Sequence, residues 1–169
     1  SCIVTGGKGG DVLSLATELR PDYIQLHYKE GFMETKHLAA ILLSHGIKTI
    51  KAIPVKEDGS CEMPEFSSVA EAVTAFSHTE IAAILLDSRC AASPASSSRK
   101  LNAGFCRDIL QISRKPLILS GGITVDNLGQ ILSVVIPDGI DILTGTEDSP
   151  GKKRKEKIEK ICSIISKAF

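Results

Sequence analysis

The sequence of 169 residues contains no Trp, only 4% aromatic residues and a formal net charge of zero. Balanced charge removes the global field that nucleic-acid binding or attachment to an anionic membrane would use. The apolar runs are far shorter than a membrane span, and no signal-peptide pattern opens the chain. These absences predict a protein with no nucleic-acid partner and no membrane partner.

The cysteines lack any paired pattern, and they are scattered along the chain. The number is odd and no CxxC pair occurs, which argues against a disulfide framework and against a zinc site. We therefore expect reduced thiols, a cytoplasmic location and no metal. An initiator Met is also lacking, so we expect a chain that was processed or that begins downstream of a natural start. The cysteines are Cys2, Cys61, Cys90, Cys106 and Cys162.

What the chain does have is a regular alternation of aliphatic strands and amphipathic helices. The predicted strands are residues 2–5, 23–27, 48–55, 82–87, 117–120 and 139–143. The predicted helices are residues 11–19, 32–45, 67–77, 104–113, 124–135 and 153–167. Six β–α units imply parallel strands with right-handed crossovers, which leaves an open doubly wound sheet or a (β/α) barrel. No strong domain boundary interrupts residues 1–169.

Two glycine-containing turns follow the last two strands. Gly121 and Gly122 stand where a strand gives way to a helix, and the next strand ends at Thr144 and Gly145. Without Cβ atoms, backbone N–H groups there can approach an anion, and the positive end of the following helix faces the same point. We predict that these four residues bind a phosphate; the alternative is that both are ordinary tight turns.

Several motifs in this region resemble the phosphoribosylanthranilate isomerase family. The sequence LSGGI followed by Asn127, then GIDILTGTE, then PGKK, is similar to the family pattern LSGGLxPxNV, VDVSSGVE and PGKKD. The motifs QLH at 25–27 and ILLD at 84–87 match upstream in the same order. The resemblance implies a TIM-type (β/α)8 barrel of which six parallel β/α units are present. It also implies one barrel-type domain over residues 1–169 that lacks the first two units, as in a fragment or a trimmed chain.

The same resemblance implies a function. The family performs an Amadori rearrangement of N-(5-phosphoribosyl)anthranilate to its 1-deoxyribulose 5-phosphate isomer, in tryptophan biosynthesis, without a metal or an organic cofactor. Its partner would be a small sugar-phosphate substrate. Two alternatives stay open: a non-catalytic phosphate-binding relative, and another sugar-phosphate barrel enzyme.

Asp87 is the candidate general acid. It closes an apolar strand, and alternation places it with Ala83 and Leu85 on one face, opposite Ile84 and Leu86. The resemblance places the acid of the family at this position, where it would protonate the sugar ring oxygen. The alternative is a helix N-cap or a surface-loop carboxylate.

Gln25, His27 and Asp141 are candidate substrate-binding residues. Gln25 and His27 share a face of their strand and belong to the QLH motif. Asp141 lies inside an aliphatic strand, where an unpaired carboxylate is costly. We expect Lys51, which lies inside another strand, to be its partner; a structural ion pair is the alternative to a catalytic role.

The catalytic base is missing from the pattern. The resemblance implies a Cys in a Lys-[Ile/Val]-Cys-Gly motif on the first strand of the family, and no such motif occurs in these residues. Cys2 opens a strand, so we expect it at the opposite end of the barrel. Cys90 follows Asp87 closely and is interpreted as a loop thiol.

Six units leave two strand edges unpaired and a core open. We expect a chain of this length to dimerise through those edges, to rearrange them or to aggregate. A homodimer is therefore a possible assembly.

Overall fold

The computed structural model describes residues 1–6, 8–27, 30–56, 58–88 and 101–168. Its parallel strands are β1 (Cys2–Thr5), β2 (Tyr23–Leu26), β3 (Lys48–Pro54), β4 (Ala83–Asp87), β5 (Leu117–Ser120) and β6 (Gly139–Asp141). Its α-helices are α1 (Gly9–Leu19), α2 (Phe32–Ser44), α3 (Val69–Ser77), α4 (Ala103–Ile112), α5 (Val125–Leu132) and α6 (Lys155–Ala168). A 3-10 turn (Thr144–Thr146) and a short hairpin, β7 (Glu147–Ser149) with β8 (Lys152–Lys153), precede α6.

The strands lie side by side in chain order, β1-β2-β3-β4-β5-β6, and all five pairings are parallel. A doubly wound sheet reverses its strand order once, at its switch point. Here the order runs in one direction, so right-handed crossovers place the helices on one face of the sheet. The predicted alternation is confirmed, and the winding is that of a (β/α) barrel.

The two faces of the sheet differ in what they contact. Ile84 and Leu86 of β4 belong to the core between sheet and helices, whereas Leu85 and Asp87 point to the opposite, concave face. The helix-side core has two parts. One lies beneath α1 and α2, and the larger one lies beneath α3 to α6. The concave face therefore carries the side chains that a ligand inside the barrel would meet.

Element boundaries differ from the prediction by a few residues, for local reasons. Ser68 caps α3 and Asn102 caps α4, each by accepting a hydrogen bond from a backbone N–H in the first turn. Strand β6 ends at Asp141, two residues early, because the chain then turns into the 3-10 segment. The hairpin of β7 and β8 was not predicted; Gly151, with φ +79°, lies at its turn.

Within the described residues, β1 and β6 are the two edges of the sheet, each paired with one neighbour. Val4 on β1 is 60% exposed, as expected for an open edge. The predicted association of two copies through these edges stays a prediction. None of the helices in the described part of the chain is long and apolar enough to cross a membrane.

Candidate active site

The carboxyl ends of β4, β5 and β6 bring three polar side chains into one row. Asp87 is in register with Ser120, and Ser120 is in register with Asp141. Parallel strands are about 4.8 Å apart, and residues in register point to the same face. The row therefore lies across the concave face, next to the turns that follow these strands.

Asp87 is buried at the end of β4, with 1% of its surface exposed. Oδ2 of Asp87 lies 3.8 Å from Nε2 of His27, whose ring is partly exposed. The alternative of a surface loop does not fit this burial, and the cap of the following helix is Asn102 instead. A shielded carboxyl group that lies beside an imidazole on the concave face is suited to proton transfer.

Gln25 is also buried on the concave face, from β2, where it is in register with Ile50. His27 is the next residue on that face and directly follows the strand. The structure thus brings Gln25, His27 and Asp87 to one side of the sheet, and Gln25 and His27 share a face as predicted. Their roles as substrate contacts stay predictions.

Asp141 has a partner other than the one predicted. Its Oδ2 accepts a hydrogen bond of 2.8 Å from the hydroxyl of Ser120. Lys51 is in register with Leu26 and Ile84, which both face the helices, so it points away from Asp141. The predicted pair of Lys51 with Asp141 is wrong, because a one-residue offset along a strand places a side chain on the other face.

The first glycine turn has backbone torsion angles that residues other than glycine rarely adopt. Gly121 has φ +99° and Gly122 has φ +62°, a region that favours glycine. A Cβ on Gly121 would overlap the hydroxyl of Ser88 and lie 2.9 Å from the backbone nitrogen of Ser88. Within the described residues, neither glycine N–H donates a hydrogen bond. Both remain available to an anion.

Asn127 holds this turn against the start of α5. Its Oδ1 accepts from the N–H of Thr124 at 2.8 Å, and its Nδ2 donates to the carbonyl of Gly122 at 2.8 Å. The amide of Asn127 thus fixes both sides of the turn. The N-terminal end of α5, with its partial positive charge, is held beside the glycines.

The second turn adjoins the first. A Cβ on Gly145 would collide with the carbonyl oxygen of Ile123 and lie 3.0 Å from Cγ2 of Ile142. Only a glycine lets the 3-10 turn pack this closely on the backbone that precedes α5. Residues 120–123 and 141–144 line one small cleft, and Thr144 and Gly145 also border a depression with Lys157 and Lys160. We name the two turns, residues 121–123 and 144–145, the anion cup.

The thiols in the described part of the chain are not arranged as a base for this site. Cys2 lies exposed at the amino end of β1, as predicted, and desolvation raises its pKa. Cys61 packs against the helix-side core, and burial raises its pKa as well. Cys90 and the serine-rich segment 93–98 lie outside the described residues. In the described part of the chain, no group of three His, Cys, Asp or Glu residues could hold a metal ion.

Three residues of this region escaped the prediction. Ser120 directly precedes the glycines and alternates with Leu119 of the helix-side core, a signal that could have placed it on the concave face. No feature of the sequence around Ser88 indicates its contact with Gly121, because that contact depends on the pairing of two neighbouring strands. Glu30 is almost fully buried and pairs with Lys51, and nothing in its sequence context indicates burial.

Comparison with known proteins agrees with this geometry. A family model described as N-(5'phosphoribosyl)anthranilate (PRA) isomerase matches residues 8–163. An N-(5'-phosphoribosyl)anthranilate isomerase of Gloeobacter violaceus is 35% identical over 146 residues, which are 83% of this chain and 58% of that protein. The chain therefore spans less than two thirds of the length of this curated relative.

Solved structures show the same fold. Phosphoribosyl anthranilate isomerase from Thermotoga maritima superposes with a TM-score of 0.73 at 22% identity, over 98% of this chain and 72% of that one. A phosphoribosyl anthranilate isomerase in complex with reduced 1-(o-carboxyphenylamino)-1-deoxyribulose 5-phosphate gives a TM-score of 0.68 at 22% identity, over 98% and 70%. The six strands thus correspond to part of a TIM-type (β/α)8 barrel. The chain belongs to the N-(5'-phosphoribosyl)anthranilate isomerase family.

Proposed function

We propose that this chain carries the phosphate site and the general acid of an N-(5'-phosphoribosyl)anthranilate isomerase. One observation carries the proposal: Asp87 is in register with Ser120, and the residue after Ser120 begins the anion cup. The acid and the cup are therefore on adjacent strands at the same end of one sheet. A sugar phosphate whose phosphate group is bound in the anion cup would place its ring beside Asp87.

The anion cup supplies binding energy that does not depend on the reacting carbon. Free N–H groups at Gly121 and Gly122 and the start of α5 favour a dianionic phosphate. Anchoring the phosphate fixes the position of the sugar. Part of the entropy cost of bringing the acid and the ring oxygen together is then met when the substrate binds, and not in the chemical step. The solved structure of a family member with a deoxyribulose 5-phosphate ligand supports a sugar phosphate as the ligand class.

Asp87 would give its proton to the ring oxygen as the bond between that oxygen and C1 breaks. The product of this step is an open-chain Schiff base. Loss of the C2 proton to a base then gives an enolamine, which tautomerises to the ketose. Among the described residues, His27, whose Nε2 lies 3.8 Å from Oδ2 of Asp87, is the group beside the acid that can exchange a proton with it.

A second candidate is a phosphate-binding relative without turnover, in which the complete protein would lack the base motif of the family's first strand. The sequence nearest to that motif, at 160–163, reads KICS and lies on α6 rather than on a strand. Such a protein would keep the anion cup and lose the proton abstraction at C2.

The test follows the loss of substrate fluorescence with the complete gene product. We expect Asp87→Asn to lower turnover by about 10²- to 10⁴-fold, the usual contribution of a general acid. Asp108→Asn, on the exposed face of α4, is the matched control and should leave turnover unchanged.

Inorganic phosphate binding is measured separately by titration of the backbone amide signals of the anion cup. Binding without turnover would select the phosphate-binding relative. Turnover of a different sugar phosphate would select another barrel enzyme. A folded protein that shows no phosphate binding and no turnover would refute the proposal.

A further inference from the structure

Lys51 is a charged side chain that the proposed chemistry does not use, and it is fully buried. It projects from β3 toward the helices, with 0% of its surface exposed, and Nζ lies 6.0 Å from the ring centre of Phe76. Burial lowers the pKa of Lys51 from 10.5 to about 8, although neighbouring acidic groups oppose this effect. Placing an ammonium group here costs free energy that a hydrophobic residue would not.

The contacts of Lys51 are concentrated on one short piece of backbone. Nζ donates to the carbonyl oxygen of His27 at 2.6 Å and to the carbonyl oxygen of Glu30 at 2.8 Å. The carboxylate of Glu30 lies 3.9 Å away. One ammonium group therefore links His27, directly after β2, to Glu30, shortly before α2.

His27 is also the residue whose ring lies beside the candidate acid. The carbonyl of His27 is held on the helix side by Lys51, while its Nε2 lies 3.8 Å from Asp87 on the concave side. Fixing the carbonyl fixes the backbone torsions of His27, and these set where the imidazole can lie. Other acidic or ionisable groups that act on Lys51 are Glu34, Glu65 and Cys61.

We propose that Lys51 is a positioning residue, which holds the end of β2 so that the imidazole of His27 stays against Asp87. The geometric part of this proposal is independent of the reaction. Its effect on turnover rests on the proposed function. A buried ion pair kept only for stability could be replaced by neutral residues without consequence for His27.

The test separates the two hydrogen bonds of Lys51 from its charge. The double variant Lys51→Met/Glu30→Gln removes the ammonium group without leaving a buried carboxylate unpaired. Glu30→Gln alone removes the acidic charge and keeps both bonds from Nζ to the carbonyls. Lys48→Met, on the same strand with its side chain exposed, is the matched control.

The measured quantity is the change in the NMR signal of the His27 ring Cε1–H when Asp87 is replaced by Asn. We expect this change to be equal in wild type, Lys48→Met and Glu30→Gln, and at least halved in the folded double variant. Urea unfolding shows whether each variant is folded. If the double variant does not fold, Glu30→Gln still tests whether the charge of the pair places the His27 ring. An altered His27 response in that variant would show that charge, not the two bonds, places the ring.

Where the complete gene product turns over substrate, kcat should fall about 10-fold or more in the double variant, with KM changed less than about 2-fold. KM should change less than kcat because the anion cup, which would bind the phosphate, follows strands other than β2 and β3. An unchanged His27 response in the folded double variant would overturn the proposal. It would do so whether or not the protein is an isomerase, so failure of the positioning role and failure of the proposed function are distinguishable.

Discussion

Gly145→Ala is the substitution that best tests the anion cup. The added methyl group would collide with the carbonyl oxygen of Ile123 and lie 3.0 Å from the carbonyl carbon of the same residue. Ordinary contacts between such carbon and oxygen atoms are about 3.3–3.6 Å. The two turns must therefore separate by on the order of 1 Å, which moves the N–H groups of Gly121 and Gly122 relative to Thr144.

The expected effect is larger on binding than on folding. A misplacement of about 1 Å in a positioned site can cost up to about 100-fold. We therefore expect phosphate affinity to fall by about 10- to 100-fold, or roughly 1.4–2.7 kcal/mol. Overpacking at a surface turn should lower the free energy of unfolding by about 1–3 kcal/mol.

The matched control is Gly129→Ala, in the interior of α5, where an added Cβ meets no atom within 4 Å. It should raise the free energy of unfolding by about 0.5–1 kcal/mol, since alanine is the better helix former. Phosphate affinity should not change. Phosphate titration by amide NMR gives the affinities, and urea unfolding gives the stabilities. A folded Gly145→Ala protein that binds phosphate as wild type does would refute the packing of the two turns described above.

Three other outcomes are expected. Asn127→Ala should lower the free energy of unfolding by about 1–2 kcal/mol and weaken phosphate binding, because the turn loses both amide hydrogen bonds; Gln130→Ala, exposed on the same helix, is the control in urea unfolding and phosphate titration. The pKa of Lys51 is about 8 in the folded protein and 10.5 in the unfolded chain. From pH 8 to 10.5 the free energy of unfolding of wild type, relative to that of Lys51→Met/Glu30→Gln, should therefore rise by on the order of 3 kcal/mol. A difference in urea unfolding that does not change with pH would contradict this. Burial raises the pKa of Cys106 to about 12, so native protein at pH 8 should leave it unalkylated by iodoacetamide in mass spectrometry, whereas exposed Cys162 reacts.

Much of the architecture could be predicted from local patterns. Aliphatic runs broken by turns located the six strands of the parallel sheet, and period-two alternation placed Asp87 on the face opposite Ile84 and Leu86. The glycines at 121–122 and 145 identified the anion cup, because such backbone requirements are visible in the residue types themselves. The resemblance of the motifs, rather than periodicity, selected the barrel.

The sequence by itself thus determined the order of the sheet strands and helices, the face of β4 that Asp87 occupies, and the two glycine turns for which phosphate binding is predicted. Only the tertiary structure decided which side chains meet. Lys51 contacts Glu30 and the carbonyl of His27 rather than Asp141, and Ser88 packs on Gly121. The physical reason is that these contacts join separate strands and turns, and their formation depends on inter-strand register and on which face a residue occupies. A one-residue shift is invisible in composition, yet it moves a charge from the concave face to the core.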